Sequence, residues 1–326
     1  MRPPAKNVII VGGAGFIGSH FIDFLLARPE IERVRLYDNF SSGREWHYEH
    51  YAQDKRLSVV KGDVKDLTAL TDAMKDFDLV IHLASNPDIA AAMTKPAIDF
   101  HEGTLLTFHV LEAMRISGTS SILYASGSGV YGDLGEIEAS EDYAPLHPNS
   151  TYGASKLAGE AMISSYCSMF DLSGCAFRFG NVVGPRQTHG VGYDFARRLI
   201  KNPATLPILG DGQQSKSYIH VEDVISAVWT AHEKTAQPFD VYNVATGDYI
   251  TVREIADCVC ELLNLSGKVT YEFAGGRGGW KGDVPIVRLN TDRIKSLGWR
   301  CKRPTQQAIK DSVTALLDDI RAKKII

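Results

Sequence analysis

Cysteine is scarce and unpatterned in this chain: the five residues Cys167, Cys175, Cys258, Cys260 and Cys301 are odd in number and include no CxxC pair. That argues against a disulfide framework or a structural zinc site, so no metal is expected, and it fits a reducing cytoplasm. An excess of basic charge is also lacking, with 35 Lys and Arg against 39 Asp and Glu and a net charge of −4. This balance argues against nucleic acid or an anionic membrane as the main partner. No apolar run reaches the length of a membrane span, and the six residues ahead of the first apolar run lack the hydrophobic region of a signal peptide. Internal repeats and low-complexity tracts are missing too. What is present is 326 residues, 44% of them hydrophobic, enough to bury a sizeable core in one large or two modest domains.

The chain opens with a short β-branched run at 7–11, turns through glycines and continues at helical spacing over 21–27. Gly12, Gly15 and Gly18 stand at G-x-x-G-x-x-G spacing. Without side chains there, backbone can approach a pyrophosphate at a helix N-terminus, where unpaired N–H groups and the helix dipole favour anions. A second strand over 33–38 ends in Asp38, twenty residues beyond Gly18. A carboxylate at that point accepts hydrogen bonds from adenosine ribose hydroxyls and repels a 2′-phosphate, which favours NAD over NADP, although Arg44 lies nearby in sequence.

Further apolar runs at 57–63, 78–84, 121–126, 172–179 and 239–244 alternate with helical patterns at 67–74, 97–117, 195–200, 223–234 and 252–263. Strands that are nearly all apolar and alternate with helices predict an α/β fold, a Rossmann-type doubly wound parallel sheet. Ligands of such sheets sit beyond the carboxyl ends of the strands, where Asp63, Ala84, Ser126 and Tyr152 fall. The expected division is a dinucleotide-binding domain over 1–180, with segments at about 215–245 crossing back to it, and a smaller C-terminal α/β substrate lobe over 181–326. The last residues, Arg321 to Ile326, are expected to fray.

Residues 150–156 place Tyr152 and Lys156 four apart, on one face of a helix. An ammonium beside a phenol favours the phenolate and is expected to draw the tyrosine toward neutrality, as a general base requires.

The glycine turn, Tyr37-Asp38-Asn39, Gly62-Asp63-Val64, His82-Leu83-Ala84, Val130-Tyr131-Gly132 and Tyr152 to Lys156 follow one another in this order. Together they resemble the extended short-chain dehydrogenase/reductase family over essentially the whole chain. Within it the chain is most similar to the NAD-dependent nucleotide-sugar epimerases and dehydratases, the UDP-galactose 4-epimerase-like branch in particular. The resemblance implies NAD held by Gly12, Gly15, Phe16, Ile17, Gly18, Asp38, Asn39, Ser41, Gly43, Asp63, Val64, Leu83 and Ala84, with Lys156 on the nicotinamide ribose and Tyr152 as the base. The implied reaction inverts C4 of a nucleotide-activated hexose, a UDP-sugar by preference, through a 4-keto intermediate. A homodimer through helices at 97–117 and 152–168 is implied as well.

Several positions depart from the family pattern. Gly127 stands where a catalytic Ser or Thr is usual, leaving Ser126 or Ser128 to supply the hydroxyl, with Ser126 preferred. Gly129 occupies the position of the acid used by dehydratases and decarboxylases, which counts against those alternatives. Among the substrate residues that the resemblance implies, Asn181, Tyr218 and Asp283 are retained. Lys216 replaces a phosphate-binding arginine, and Trp280 replaces another, so that either Arg277 reaches the diphosphate or Trp280 stacks on the base. Loss of the hydroxyl at Gly127 also raises a non-catalytic nucleotide sensor as an alternative, against which Tyr152 and Lys156 both speak.

Overall fold

A computed structural model describes residues 5–324. In chain order the first part runs β1 (Asn7–Val11), α1 (Phe16–Leu26), β2 (Arg33–Asp38), β3 (Leu57–Lys61), α2 (Leu67–Met74), β4 (Leu79–His82), α3 (Leu105–Ser117), β5 (Ser121–Gly127), α4 (Thr151–Met169) and β6 (Ser173–Phe179). There follow β7 (Asn181–Val183), α5 (Val191–Lys201), β8 (Thr205–Ile208), β9 (Ser215–Lys216), β10 (Tyr218–His220), α6 (Val221–Lys234) and β11 (Phe239–Val244). The chain closes with β12 (Ile250–Thr251), α7 (Val252–Leu262), β13 (Thr270–Phe273), α8 (Asp292–Ser296) and α9 (Thr305–Arg321). Residues 1–4 and the last two of the tail expected to fray, Ile325 and Ile326, lie outside the described residues.

The central sheet has the order β11-β6-β5-β4-β1-β2-β3, with every neighbouring pair parallel. The central strands β1 and β4 are nearly all apolar and buried because both faces of the sheet are covered. Along β1, Val8 and Ile10 pack with α1 and α6, whereas Ile9 and Val11 pack with α2, α3 and α4. This is the doubly wound Rossmann-type sheet that alternating strands and helices predict. The chain builds outward from β1 through β3 and then returns to β4 on the other side of β1. A crevice therefore opens beyond the carboxyl ends of β1 and β4.

A separate core joins α5, α7, α9 and β8 through Phe195, Leu199, Ile255, Val259, Ile309, Val313 and Leu206. Its short strands pair in twos: β7 with β10 and β8 with β13 in parallel, β9 with β12 antiparallel. At two to four residues each they are too short to show a period in sequence.

Two local differences bear on the site. The helix expected over 97–117 begins as a π-helical turn, Phe100–Thr104, before α3. Gly103 in that turn packs so tightly on α4 that a Cβ would lie 2.7 Å from Ser155 Oγ. The third strand ends at Lys61, leaving Asp63 on the loop beyond it. No helix among the described residues is long and apolar enough to cross a membrane.

Candidate active site

The turn after β1 is shaped by two glycines for different reasons. Gly12 adopts φ +83° and passes so close to β4 that a Cβ would lie 2.5 Å from the Ala84 nitrogen. A Cβ on Gly18 would sit 2.5 Å from the Gly13 carbonyl, so α1 can close onto the turn only without one. Gly15 is the N-cap of α1 and offers no side-chain cap. The first amides of α1 are thus left for an anion in the crevice.

Asp38 is 8% exposed, and its Oδ2 accepts from the Ala14 amide at 2.9 Å while Oδ1 accepts from the Phe40 amide at 2.7 Å. The carboxylate therefore fixes the glycine turn as well as facing the cavity, and each oxygen retains a further lone pair for a ribose hydroxyl. Arg44 is exposed and bonds the adjacent Gly43 carbonyl, away from the cavity lining. Gly43 is buried against Ala14, whose Cβ would lie 2.6 Å from a side chain there, and is not among the residues lining the cavity.

A single cavity of about 630 Å³ runs from this turn to the second core. Phe16 and Ile17, Asn39 and Ser41, Asp63 and Val64, and Leu83 and Ala84 line its first end. Asp63 is held in place by its own loop, its Oδ1 accepting from the Lys65 amide and its carbonyl from the Tyr37 hydroxyl.

Midway along the cavity lie Tyr152 and Lys156. Ser150 caps α4, its hydroxyl accepting from the Gly153 amide at 3.1 Å, which fixes the first turn that carries Tyr152. Lys156 is 3% exposed; its Nζ donates to the Ala125 carbonyl at 2.8 Å and stands 5.4 Å from the centre of the Tyr152 ring. Burial lowers this ammonium to about 8, opposed by the negative charge of Asp99. The expected drop of the phenol toward neutrality does not occur in the protein alone. Burial pushes Tyr152 up to about 12, a bond from Ser85 opposes this, and Asp99 adds to it. The Ser85 hydroxyl is buried and makes no other hydrogen bond of standard geometry.

The hydroxyl expected from Ser126 is directed elsewhere. Ser126 Oγ donates to Glu160 Oε1 at 2.6 Å, and Glu160 is paired with Arg178 at 2.7 Å, both side chains 5% exposed. Arg178 also donates to the Tyr131 hydroxyl, which in turn donates to Asn243 Oδ1. Ser126, preferred from the sequence, also lines the cavity, but its hydroxyl is engaged in a buried network under α4. Ser128, half-buried on the 3₁₀ turn after β5, lines the cavity. Between them Gly127 is extended, at φ −164° and ψ 163°, and a Cβ there would meet nothing within 4 Å.

At the far end Asn181, Tyr218, Lys216, Trp280 and Asp283 line the cavity. Lys216 Nζ donates to Asp283 Oδ1 at 2.7 Å, and Asp283 Oδ2 accepts from the Gly279 amide. Arg277 is exposed and outside the lining, carried away by the preceding glycines at φ +80° and +82°. Of the two alternatives, Trp280 is the one on the cavity.

Sequence reasoning missed Ser85, Asn86 and His189 in the lining and the buried Asp99 beside it. Ser85 and Asn86 directly follow His82-Leu83-Ala84, a signal that could have found them.

Residues 8–245 match the model of the NAD dependent epimerase/dehydratase family. The UDP-glucose 4-epimerase of Mycolicibacterium smegmatis is 30% identical over 325 residues, covering 97% of this chain and 99% of that protein. A crystal structure of a UDP-galactose 4-epimerase superposes with TM-score 0.84 at 35% identity, over 96% of this chain and 99% of that one. The UDP-glucose 4-epimerase of Thermus thermophilus, solved in complex with NAD, gives TM-score 0.82 at 32% identity, over 95% of this chain and 99% of that one.

Proposed function

The chain belongs to the NAD dependent epimerase/dehydratase family, and from its site we propose that it inverts C4 of a nucleotide-activated hexose, a UDP-sugar by preference. The supporting observation is one continuous cavity with an uncapped glycine turn at one end, Tyr152 and Lys156 at its middle, and Lys216, Asn181 and Trp280 at the other. The residues present fit NAD: a cradle that a Cβ at Gly12 or Gly18 would close, free amides at α1 for the pyrophosphate, and Asp38 for the ribose. The chemistry that NAD supplies when bound is reversible acceptance of a hydride, with no net consumption.

Tyr152 takes the proton of the sugar C4 hydroxyl as the C4 hydride departs, leaving a 4-keto sugar. Lys156, anchored to the Ala125 carbonyl, holds positive charge beside the phenol and orients it. The ketone turns its other face, and return of hydride and proton inverts C4. Lys216 and Asn181 grip the diphosphate, and Trp280 packs on the base. Two copies associate through α3 and α4, whose Phe108, Ile116 and Met169 are exposed apolar side chains.

In this reading the hydroxyl that relays between Tyr152 and the sugar is Ser128. Ser128→Ala should lower kcat roughly ten- to a hundred-fold, whereas Ser126→Ala should chiefly cost stability. Because Gly127 is extended and open, Gly127→Ser in the Ser128→Ala background should recover part of the rate. Equal rates for Ser128→Ala and the parent protein would remove Ser128 from the mechanism. The reaction class is tested by incubating the protein with UDP-, GDP- and dTDP-hexoses and separating products by chromatography with mass detection. A new retention time at unchanged mass is expected; no change in any sugar, with NAD bound, would instead favour a sensor.

A further inference from the structure

Asp99 is 1% exposed and lies just ahead of the π-helical turn. Its Oδ2 accepts from Thr151 Oγ1 at 2.6 Å, at the first residue of α4 beside Tyr152. Its Oδ1 accepts from Asn86 Nδ2 at 2.8 Å, in the loop that also carries Ser85. One buried carboxylate thus joins the two segments whose side chains meet at the phenol. No salt bridge to it forms among the described residues; its oxygens are satisfied by two hydrogen bonds, and the Lys156 ammonium interacts with it through space.

The other charges around the pair are matched or absent. Glu160 is paired with Arg178, and Glu102 of the π-helical turn is paired with Lys65. His82, on β4, is held neutral by burial and by the Lys156 charge, well below its ordinary value. Tyr124, whose ring lies 5.2 Å from Lys156 Nζ, is pushed up by burial and stays a neutral phenol. Asp99 is therefore the unpaired negative charge acting on both Tyr152 and Lys156.

We propose that Asp99 is a positioning residue for the Tyr152–Lys156 pair: it ties the Ser85–Asn86 loop to the first turn of α4 and supplies the buried negative charge that both groups sense. The proposal rests on the reading of that pair as the acid–base centre. A carboxylate so placed stabilises the ammonium against burial, and it opposes the phenolate until a positive charge is bound nearby. The site thereby keeps its lysine charged at the cost of a reluctant base.

The sign of the effect makes it testable. Removing the charge must lower both ionisations, since a nearby anion raises the pKa of acid and ammonium alike. Asp99→Asn is isosteric: its carbonyl can accept from Asn86 and its amide can donate to the Thr151 hydroxyl. The tyrosinate absorbance of the full-length protein with NAD, taken as the difference between Asp99→Asn and Asp99→Asn/Tyr152→Phe, reads Tyr152 without any sugar. Its midpoint should fall by about one pH unit relative to the same difference in the parent background, and both limbs of the pH–rate profile should move to lower pH. Asn86→Ala and Thr151→Ala, which break the ties but keep the charge, should lower kcat and leave the midpoint in place. Asp99→Ser serves as the second neutral variant should the amide not fold. An unmoved midpoint in a folded neutral variant would overturn the proposal, whichever sugar the enzyme takes.

Discussion

Tyr152→Phe should reduce turnover by about 10²- to 10⁴-fold, the range associated with loss of a general acid–base group, while leaving NAD content unchanged. The separation follows from the layout of the cavity. The cofactor contacts proposed for Gly12, Gly18 and Asp38 lie at the glycine turn, whereas Tyr152 contributes one hydroxyl at the middle. A phenylalanine ring keeps the packing of α4, and the Lys156 ammonium retains its bond to the Ala125 carbonyl. The measurement is steady-state epimerisation together with NAD released on denaturation. Near-parental rates would remove Tyr152 as the base; loss of NAD as well would show that the substitution disturbs the cradle.

Glu160→Leu should be the most destabilising single change near the site, at about 3–5 kcal/mol, because it leaves Arg178 buried without its counterion. Arg178 makes three hydrogen bonds to the Glu160 carboxylate and reaches the Tyr131 hydroxyl with its remaining arm. Removing both charges is expected to cost less, since the desolvation penalty of the guanidinium disappears with it. Glu160→Leu/Arg178→Met should therefore be more stable than Glu160→Leu alone, read as the urea midpoint. The opposite order would mean that the hydrogen bonds of Arg178 to Tyr131 and the Glu141 carbonyl outweigh the pair itself.

The same network engages the hydroxyl of Ser126, the residue preferred from the sequence. On β5 side chains alternate, so Ser126 shares a face with Ile122 and Tyr124, which pack in the core beneath α4. That alternation is legible in the sequence. What it cannot reveal is that Glu160, a polar residue within a helix, turns inward to meet Ser126, since its partner Arg178 lies on another strand. Asp99 was invisible for a similar reason: an isolated aspartate reads as a solvated charge until Thr151, 52 residues away, closes over it. The sheet was legible because its signal is local and repeated. An all-apolar run such as residues 8–11, followed by glycines at fixed spacing, needs no distant partner to be recognised. For Arg277, charge type shows in the sequence while direction does not. Its exposure is decided by the turn conformations of Gly275 and Gly276.

The shape of the second lobe was the least legible part. Its strands of two to four residues pair only after the chain has folded back, and α6, preceding β11, packs against α1 in the core of the first. A sequence boundary near residue 180 marks where the regular alternation ends and the interleaving begins.

In the proposed reaction hydride leaves and re-enters the same carbon, with Tyr152 handling the proton. The most direct test is to run the protein with UDP-glucose in deuterated water and follow the sugar by mass spectrometry and chromatography. Inversion at C4 with return of the substrate's own hydride predicts a C4 epimer of unchanged mass with no deuterium on carbon. Loss of water or carbon dioxide, or deuterium fixed at a carbon position, would contradict it.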